Sequence, residues 1–184
     1  MDSLALRARG AYCSDRVTHL ALQYVTSAIE LGPLYKLLAP HLDFLLFEVV
    51  FPLMCITPAD IERFETDPHE FVRLANDPME DFFDPRLAAI NLMVDLVKFR
   101  SKDVLARVLG HLTNVLGEFA ALPPATRAVD LGAHVRKDAA FTALGALDET
   151  LKAKKAYKGE LEGLLVQHVL PEFGSPHGFL RSRA

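Results

Sequence analysis

Apolar residues recur at spacings of three and four along nearly the whole chain, and this period constrains the fold more than any other feature. Leu34, Leu37, Leu38, Leu42, Leu45, Leu46, Val49, Val50 and Leu53 lie on one broad helical stripe. Val104, Leu105, Val108, Leu109, Leu112, Val115, Leu116 and Phe119 repeat it. So do Val135, Ala139, Leu144, Leu147 and Leu151, and then Leu161, Leu164, Leu165, Val169 and Leu170. No segment alternates apolar and polar residues as a half-buried strand would, so the expected class is all-α. The pattern predicts helices near 13–30, 34–54, 59–65, 68–76, 85–99, 102–120, 133–154 and 158–171. Pro33, Pro58, Pro68 and Pro85 stand where helix starts tolerate proline. Asp67 and Asp84 precede two of them as candidate N-caps.

Short links between many amphipathic helices fit either a bundle or a HEAT-repeat α-solenoid of stacked helix pairs. Two observations favour the solenoid. Val-Val-Phe-Pro-Leu-Met at 49–54 is echoed by His-Val-Leu-Pro-Glu-Phe at 168–173. The interval is about three HEAT-sized units of ~40 residues. The chain also stops at Pro-His-Gly-Phe-Leu-Arg-Ser-Arg-Ala, where a new helix is beginning. The expected organisation is an unplaced lead at 1–11, then an array at 12–184 of three to four helix pairs. Residues 58–85 form an acidic connecting segment within it.

At 184 residues and 51% hydrophobic, the chain can bury a sizeable core. Cys13 and Cys55 lie far apart, read as small core residues, and point to a reducing compartment. Leu42 to Ile56 is the most apolar run. It falls short of the ~20 residues needed to cross a bilayer and reads as a buried helix of a soluble protein.

Charge is sorted along the chain. From Pro58 to Pro85, nine acids face only Arg63 and Arg73, a local charge of −7 against −4 for the whole chain. A sorted charge map on an apolar helical chain points to a binding surface. The candidate partner-binding acids are Asp60, Glu62, Glu65, Asp67, Glu70, Glu80 and Asp81. The bland alternative is a solvated face whose acids favour helix N-termini. Arg73, three residues after Glu70, would then be only an intrahelical partner. Lys152, Lys154, Lys155 and Lys158 form a basic knot of the kind a helix C-terminus attracts.

No catalytic, cofactor or metal site is read from the sequence. The seven histidines show no metal-ligand spacing, and Arg73 stands where the zincin-like string from His69-Glu70 requires a second histidine. There is no Gly-rich phosphate loop and no Gly-x-Ser-x-Gly elbow. Phe44, Phe47, Phe51, Phe64, Phe71, Phe82 and Phe83 cluster in the first half and read mostly as core.

Several pieces, in order, resemble the importin-β (karyopherin) superfamily of HEAT-repeat nuclear transport receptors, nearest to its importin seven and eight class. They are Val-Val-Phe-Pro-Leu-Met-Cys at 49–55, Asp67-Pro68-His69-Glu70-Phe71-Val72-Arg73, Met79-Glu80-Asp81-Phe82 and Arg86-Leu87-Ala88-Ala89. Arg136-Lys137-Asp138-Ala139-Ala140, Lys154-Lys155-Ala156-Tyr157-Lys158, His168-Val169-Leu170-Pro171 and the closing Phe179-Leu180-Arg181-Ser182-Arg183-Ala184 follow. Leu74-Ala75-Asn76 and Glu172 depart from the family pattern, and the Pro123-Pro124 loop is shorter.

The resemblance implies an interior slice of a longer, non-enzymatic carrier. It implies binding of basic cargo proteins, control by Ran GTPase through regions mostly outside this stretch, and contact with Phe-Gly nucleoporins. It implies shuttling between cytoplasm and nucleus, with no direct nucleic acid and no membrane insertion. An exportin of the cellular-apoptosis-susceptibility type and a HEAT-like scaffold outside transport are the alternatives. A small helical enzyme is a third, motivated only by the histidines and carboxylates.

Overall fold

Prolines and short polar side chains set most of the helix starts. The computed structural model describes residues 2–75 and 83–184. In chain order the elements are α1 (Asp2–Ala8), α2 (Asp15–Glu30), α3 (Gly32–Leu38), a 3-10 turn (Ala39–His41), a π-helical segment (Phe44–Val50), α4 (Phe51–Met54), α5 (Pro58–Thr66) and α6 (Pro68–Ala75). They continue with α7 (Pro85–Ala121), α8 (Pro124–Val129), α9 (Leu131–Ala146), α10 (Asp148–Ala153), α11 (Lys155–Lys158) and α12 (Leu161–Leu164). A second π-helical segment (Leu165–Val169), a 3-10 segment (Leu170–Gly174) and α13 (Gly178–Arg183) complete the chain. No strand occurs among the described residues, and the class is all-α.

The two expected caps, Asp67 and Asp84, are present, and Ser14 adds one the sequence reading did not name. Ser14 accepts from the Val17 amide at the start of α2. Asp67 accepts from the Glu70 amide at 2.9 Å, and Asp84 accepts from the amides of Arg86 and Leu87 at 2.7 and 3.2 Å. Each cap satisfies an amide that the first helical turn would leave without a partner.

Several expected boundaries are corrected. The two helices expected at 85–99 and 102–120 are both present: α7, Pro85–Ala121, is two helices that meet without a loop at a kink at Arg100, where φ is −131° and ψ is 34°. Arg100 donates to the carbonyls of Ile29 and Glu30 at 2.7 and 3.3 Å, capping the end of α2. The expected helix at 34–54 divides into α3, the 3-10 turn, the π segment and α4. Its relative at 158–171 divides in the same manner.

Proline is the physical reason for this division. It cannot donate to the residue four before it, and its ring collides with that residue's carbonyl. The wider π turn moves the carbonyl away. Both π segments end two residues or fewer from a proline, Pro52 or Pro171, where the sequence echo lies. The expected helix at 133–154 breaks at Leu147, which leaves helical angles. The stretch from Ala121 to Leu131, read as a loop, carries α8 after Pro123. Residues 2–8, left unplaced in the sequence, form α1.

The chain divides into two compact units. The first is made of residues 2–54 and 83–111. Its core holds Leu22, Ile29, Leu45, Met54, Leu92 and Leu96, all shut off from solvent. Leu4 brings α1 into that core. Arg7 ties α1 down by donating to the Cys13 carbonyl at 2.8 Å and to Asp15 at 3.0 Å. The second unit is made of residues 55–75 and 112–184. Its core is lined by Leu112, Leu116, Ala139, Ala140, Leu147 and Leu180.

Cys13 and Cys55 are free and half-buried, less enclosed than a core reading requires. Of the phenylalanine cluster, Phe51 is buried and Phe83 is 41% exposed, while Phe82 lies outside the described residues. By length and composition alone, Phe44–Thr66 is apolar enough to cross a membrane. It is not one continuous helix here. The backbone leaves helical geometry at residues 55–57, and Thr57 starts α5 afresh.

Candidate partner-binding surface

Residues 58–75 build two short helices back to back, and local chemistry claims several of their acids. Thr57 and Asp60 form a capping box. The Thr57 side chain accepts from the Asp60 amide at 3.2 Å, and Asp60 accepts from the Thr57 amide at 3.1 Å. The Thr57 hydroxyl adds a 2.6 Å bond to the same carboxylate. Asp67 is occupied as the cap of α6. Glu70 takes a two-pronged bond from Arg73, at 2.8 and 2.7 Å. That bond holds the Glu70 carboxyl below its usual range.

Glu62 and Glu65 differ from these three. Both are exposed on α5, and among the described residues no hydrogen bond or ion pair occupies either carboxylate. They are three positions apart and therefore neighbours on the helix surface. Glu80 and Asp81, the remaining two sequence candidates, lie outside the described residues. The structure thus gathers Asp60, Glu62, Glu65, Asp67 and Glu70 on α5, α6 and their caps. Three are engaged locally, and two are left for solvent or a partner.

The α5–α6 pair is a firm platform. Phe64 meets Phe71 edge to face at 5.4 Å between ring centres. Phe64 also packs over Gly178 at the start of α13, so close that a Cβ there would stand 2.5 Å from the ring. Among the described residues no group of three His, Cys, Asp or Glu side chains could hold a metal ion.

No family model matches the chain, and no solved structure matches it. Curated proteins do. The importin beta-like SAD2 homolog of Arabidopsis thaliana is 40% identical over 175 residues, covering 95% of this chain and 16% of the relative. The probable importin-7 homolog of Dictyostelium discoideum is 33% identical over 170 residues, 92% of this chain and 16% of the relative. The chain belongs to the importin-β family. Its fold is the all-α, HEAT-repeat type of that family. It spans about 16% of the length of the curated relatives it matches. Exportin-2 of Oreochromis niloticus is also similar, 30% identical over 172 residues, 89% of this chain and 17% of the relative.

Within this importin-β chain, the structure explains one departure noted in the sequence. Glu172 is buried and accepts a 2.6 Å bond from Lys137 of α9, which is buried too. The Lys137 ammonium also lies 4.2 Å over the Phe119 ring. Burial pushes the Lys137 pKa down, while Glu172 pulls it back up. Sequence reasoning missed the pair because its members are 35 residues apart and neither sits in a recognisable motif. The only available signal was a charged residue on an otherwise apolar helix end. The basic knot is local by comparison: Lys152 pairs with Asp148 at 2.6 Å, one helical turn away. Lys154, Lys155 and Lys158 are exposed.

Proposed function

We propose that this chain serves in a nuclear transport receptor and takes part in carrying protein cargo into the nucleus. One observation carries the reading: 40% identity to an importin beta-like protein over 95% of the chain. In this reading the receptor releases cargo under the control of Ran GTPase. It meets Phe-Gly nucleoporins at the pore and shuttles between cytoplasm and nucleus.

The α5–α6 surface is the part of this chain that would hold a basic cargo segment. Support comes from Glu62 and Glu65, whose exposed carboxylates carry no hydrogen bond or ion pair among the described residues, although Glu65 is close enough to His177 to act on its charge. Asp60, Asp67 and Glu70 would add background negative potential while staying bound to their own helices. Glu80 and Asp81 extend the same acidic sequence. Such a surface supplies steering and register more than raw affinity.

The experiment is a pull-down on the immobilised chain with a histone as basic cargo, Ran loaded with GTP, and Phe-Gly nucleoporin repeats. The expected result is cargo binding that weakens with salt and falls in Glu62→Gln/Glu65→Gln. Retention of none of the three probes would overturn the transport reading. Cargo binding indifferent to the double variant would overturn only the assigned surface.

A second reading is export, favoured by the similarity to Exportin-2. The Ran arm of the pull-down separates the two. GTP-loaded Ran dissolves an import complex and strengthens an export complex.

A further inference from the structure

Side chains that carry or can take up charge hold the C-terminal segment of the second unit to α9. Residues 134, 137 and 138, spread over little more than one turn of α9, reach it. Lys137 donates to Glu172 of the 3-10 segment at 2.6 Å, and Asp138 accepts from Arg183 of α13 at 3.3 Å. Between these two ties, His134 meets His177 at the head of α13, with 4.2 Å between ring centres. Apolar packing completes the seat. Phe179 and Leu180 are buried, and Gly178 lies against the Phe64 ring of α5.

The histidine contact suits neutral rings. His134 is 3% exposed and donates from Nδ1 to the Asp130 carbonyl at 2.9 Å. The Nε2 of His177 is closed off from solvent and makes no hydrogen bond among the described residues. A neutral imidazole has one N–H, which can stand on Nδ1 and leave Nε2 as a bare lone pair. An imidazolium has an N–H on both nitrogens, so a charged His177 would bury a donor without an acceptor. It would also stand against His134 where positive charge is already in excess. The Lys137 ammonium and the Arg127 guanidinium of α8 lie 4.2 and 5.5 Å over the Phe119 ring. The same ring meets His134 edge to face at 5.0 Å. Arg181 of α13 adds a further cation, bonded to the Ser175 and Pro176 carbonyls. On the negative side, Glu172 is engaged by Lys137, Asp138 by Arg183, and Glu118 of α7 by Arg136. Burial and His134 hold the His177 pKa below its ordinary value, against the opposing pull of Glu172 and of Glu65 on α5.

We propose that His134 and His177 form an acid-released latch, in which protonation of the pair frees α13 from α9 while the rest of the second unit stays folded. Release gives the His177 Nε2–H water as its acceptor and separates the two rings. It also takes Gly178 away from Phe64, so the aromatic pair of the α5–α6 platform loses one of its supports. The undocked segment binds a proton more readily than the docked one. Docking is therefore complete above the free imidazole value of about 6.5 and weakens as pH falls through the lower docked value. One histidine raises the undocked population by at most about tenfold between pH 7.5 and 5.5. The device lies wholly inside the second unit and holds whether or not the chain serves in transport.

The test is amide hydrogen exchange on the intact chain at pH 7.5 and 5.5, with each rate divided by that of an unfolded amide at the same pH. The amides of Leu180 and Arg181, both bonded to the His177 carbonyl, report the latch. Those of Ala139, Ala140 and Ala143 in α9 report the rest of the unit. Protection at Leu180 and Arg181 is expected to fall several-fold at the lower pH, up to about tenfold, while α9 stays protected. His177→Gln removes the titrating ring and should bring that ratio close to one. Leu180→Val loosens α13 without touching a titrating group and should speed exchange by the same factor at both pH values. Should His177→Gln undock α13 outright, titration of the His134 and His177 ring protons in the parent chain decides: both should titrate below the free value, in step with the loss of protection. A His177 ring that titrates at about 6.5 with α13 still protected, α9 opening together with α13, or a pH ratio that survives His177→Gln would each overturn the latch.

Discussion

Replacing Lys137 by methionine isolates the energetics of the buried ion pair. Its side chain is 4% exposed and that of Glu172 is 10% exposed, with Nζ and Oε1 2.6 Å apart. Methionine keeps most of the lysine stem, and its sulfur can pack on Phe119 as the ammonium does. The main consequence is a carboxylate stranded in the core, a change that costs about 3–5 kcal/mol in comparable sites.

The loss is therefore expected at about 3–4 kcal/mol at pH 7. For a chain of this size the pH 7 loss corresponds to a fall in melting temperature of roughly 6–16 °C. Urea unfolding measures the difference between variant and parent. The double variant Lys137→Met/Glu172→Leu removes both charges and is expected within about 1 kcal/mol of the parent, because an apolar replacement of a buried pair is often neutral. A single-variant loss below about 1 kcal/mol, or a double variant as unstable as the single one, would refute this reasoning.

Acid should loosen the second unit. Burial holds the imidazoles of His177 and His168 below their ordinary pKa of 6.5. The unfolded chain then binds protons more readily, so stability is full above about 6.5 and is lost as pH falls from there through the lower folded values. Melting temperatures between pH 7.5 and 5 should fall, and His177→Gln should flatten the slope. Gly178→Ala places a Cβ 2.5 Å from the Phe64 ring. It should cost about 1–3 kcal/mol by overpacking, read as a lower urea midpoint, and cost less in a Phe64→Leu background. Thr57→Ala removes the capping box of α5 and should cost about 1 kcal/mol, with faster amide exchange at Asp60 as the local readout.

Much of the fold can be read directly from residue order, because helix formation depends on near neighbours. Apolar spacing of three and four predicts an all-α chain, and the proline positions predict the starts of α5, α6 and α7. Asp67 and Asp84 were legible as caps for the same reason: a cap acts on amides two or three residues away. The breaks at Arg100, Leu147 and before Pro52 were partly legible. Proline marks a disturbance in a helix, but whether the turn ends, tightens or widens depends on what packs against it.

The candidate surface divides along the same line. The sequence alone determined that residues 58–85 are strongly acidic, that Arg73 can reach Glu70, and, through ordered resemblances, the importin-β kinship. Only the tertiary structure decided that Asp60 is in use as well and that Glu62 and Glu65 are left without such bonds. Asp60, Asp67 and Glu70 are bound to their own helices, while Glu62 and Glu65 are not. It alone joined Lys137 to Glu172 across 35 residues. The physical reason is range. Period, caps and local charge are encoded within a few residues, whereas burial and long-range pairing exist only once distant segments share one core.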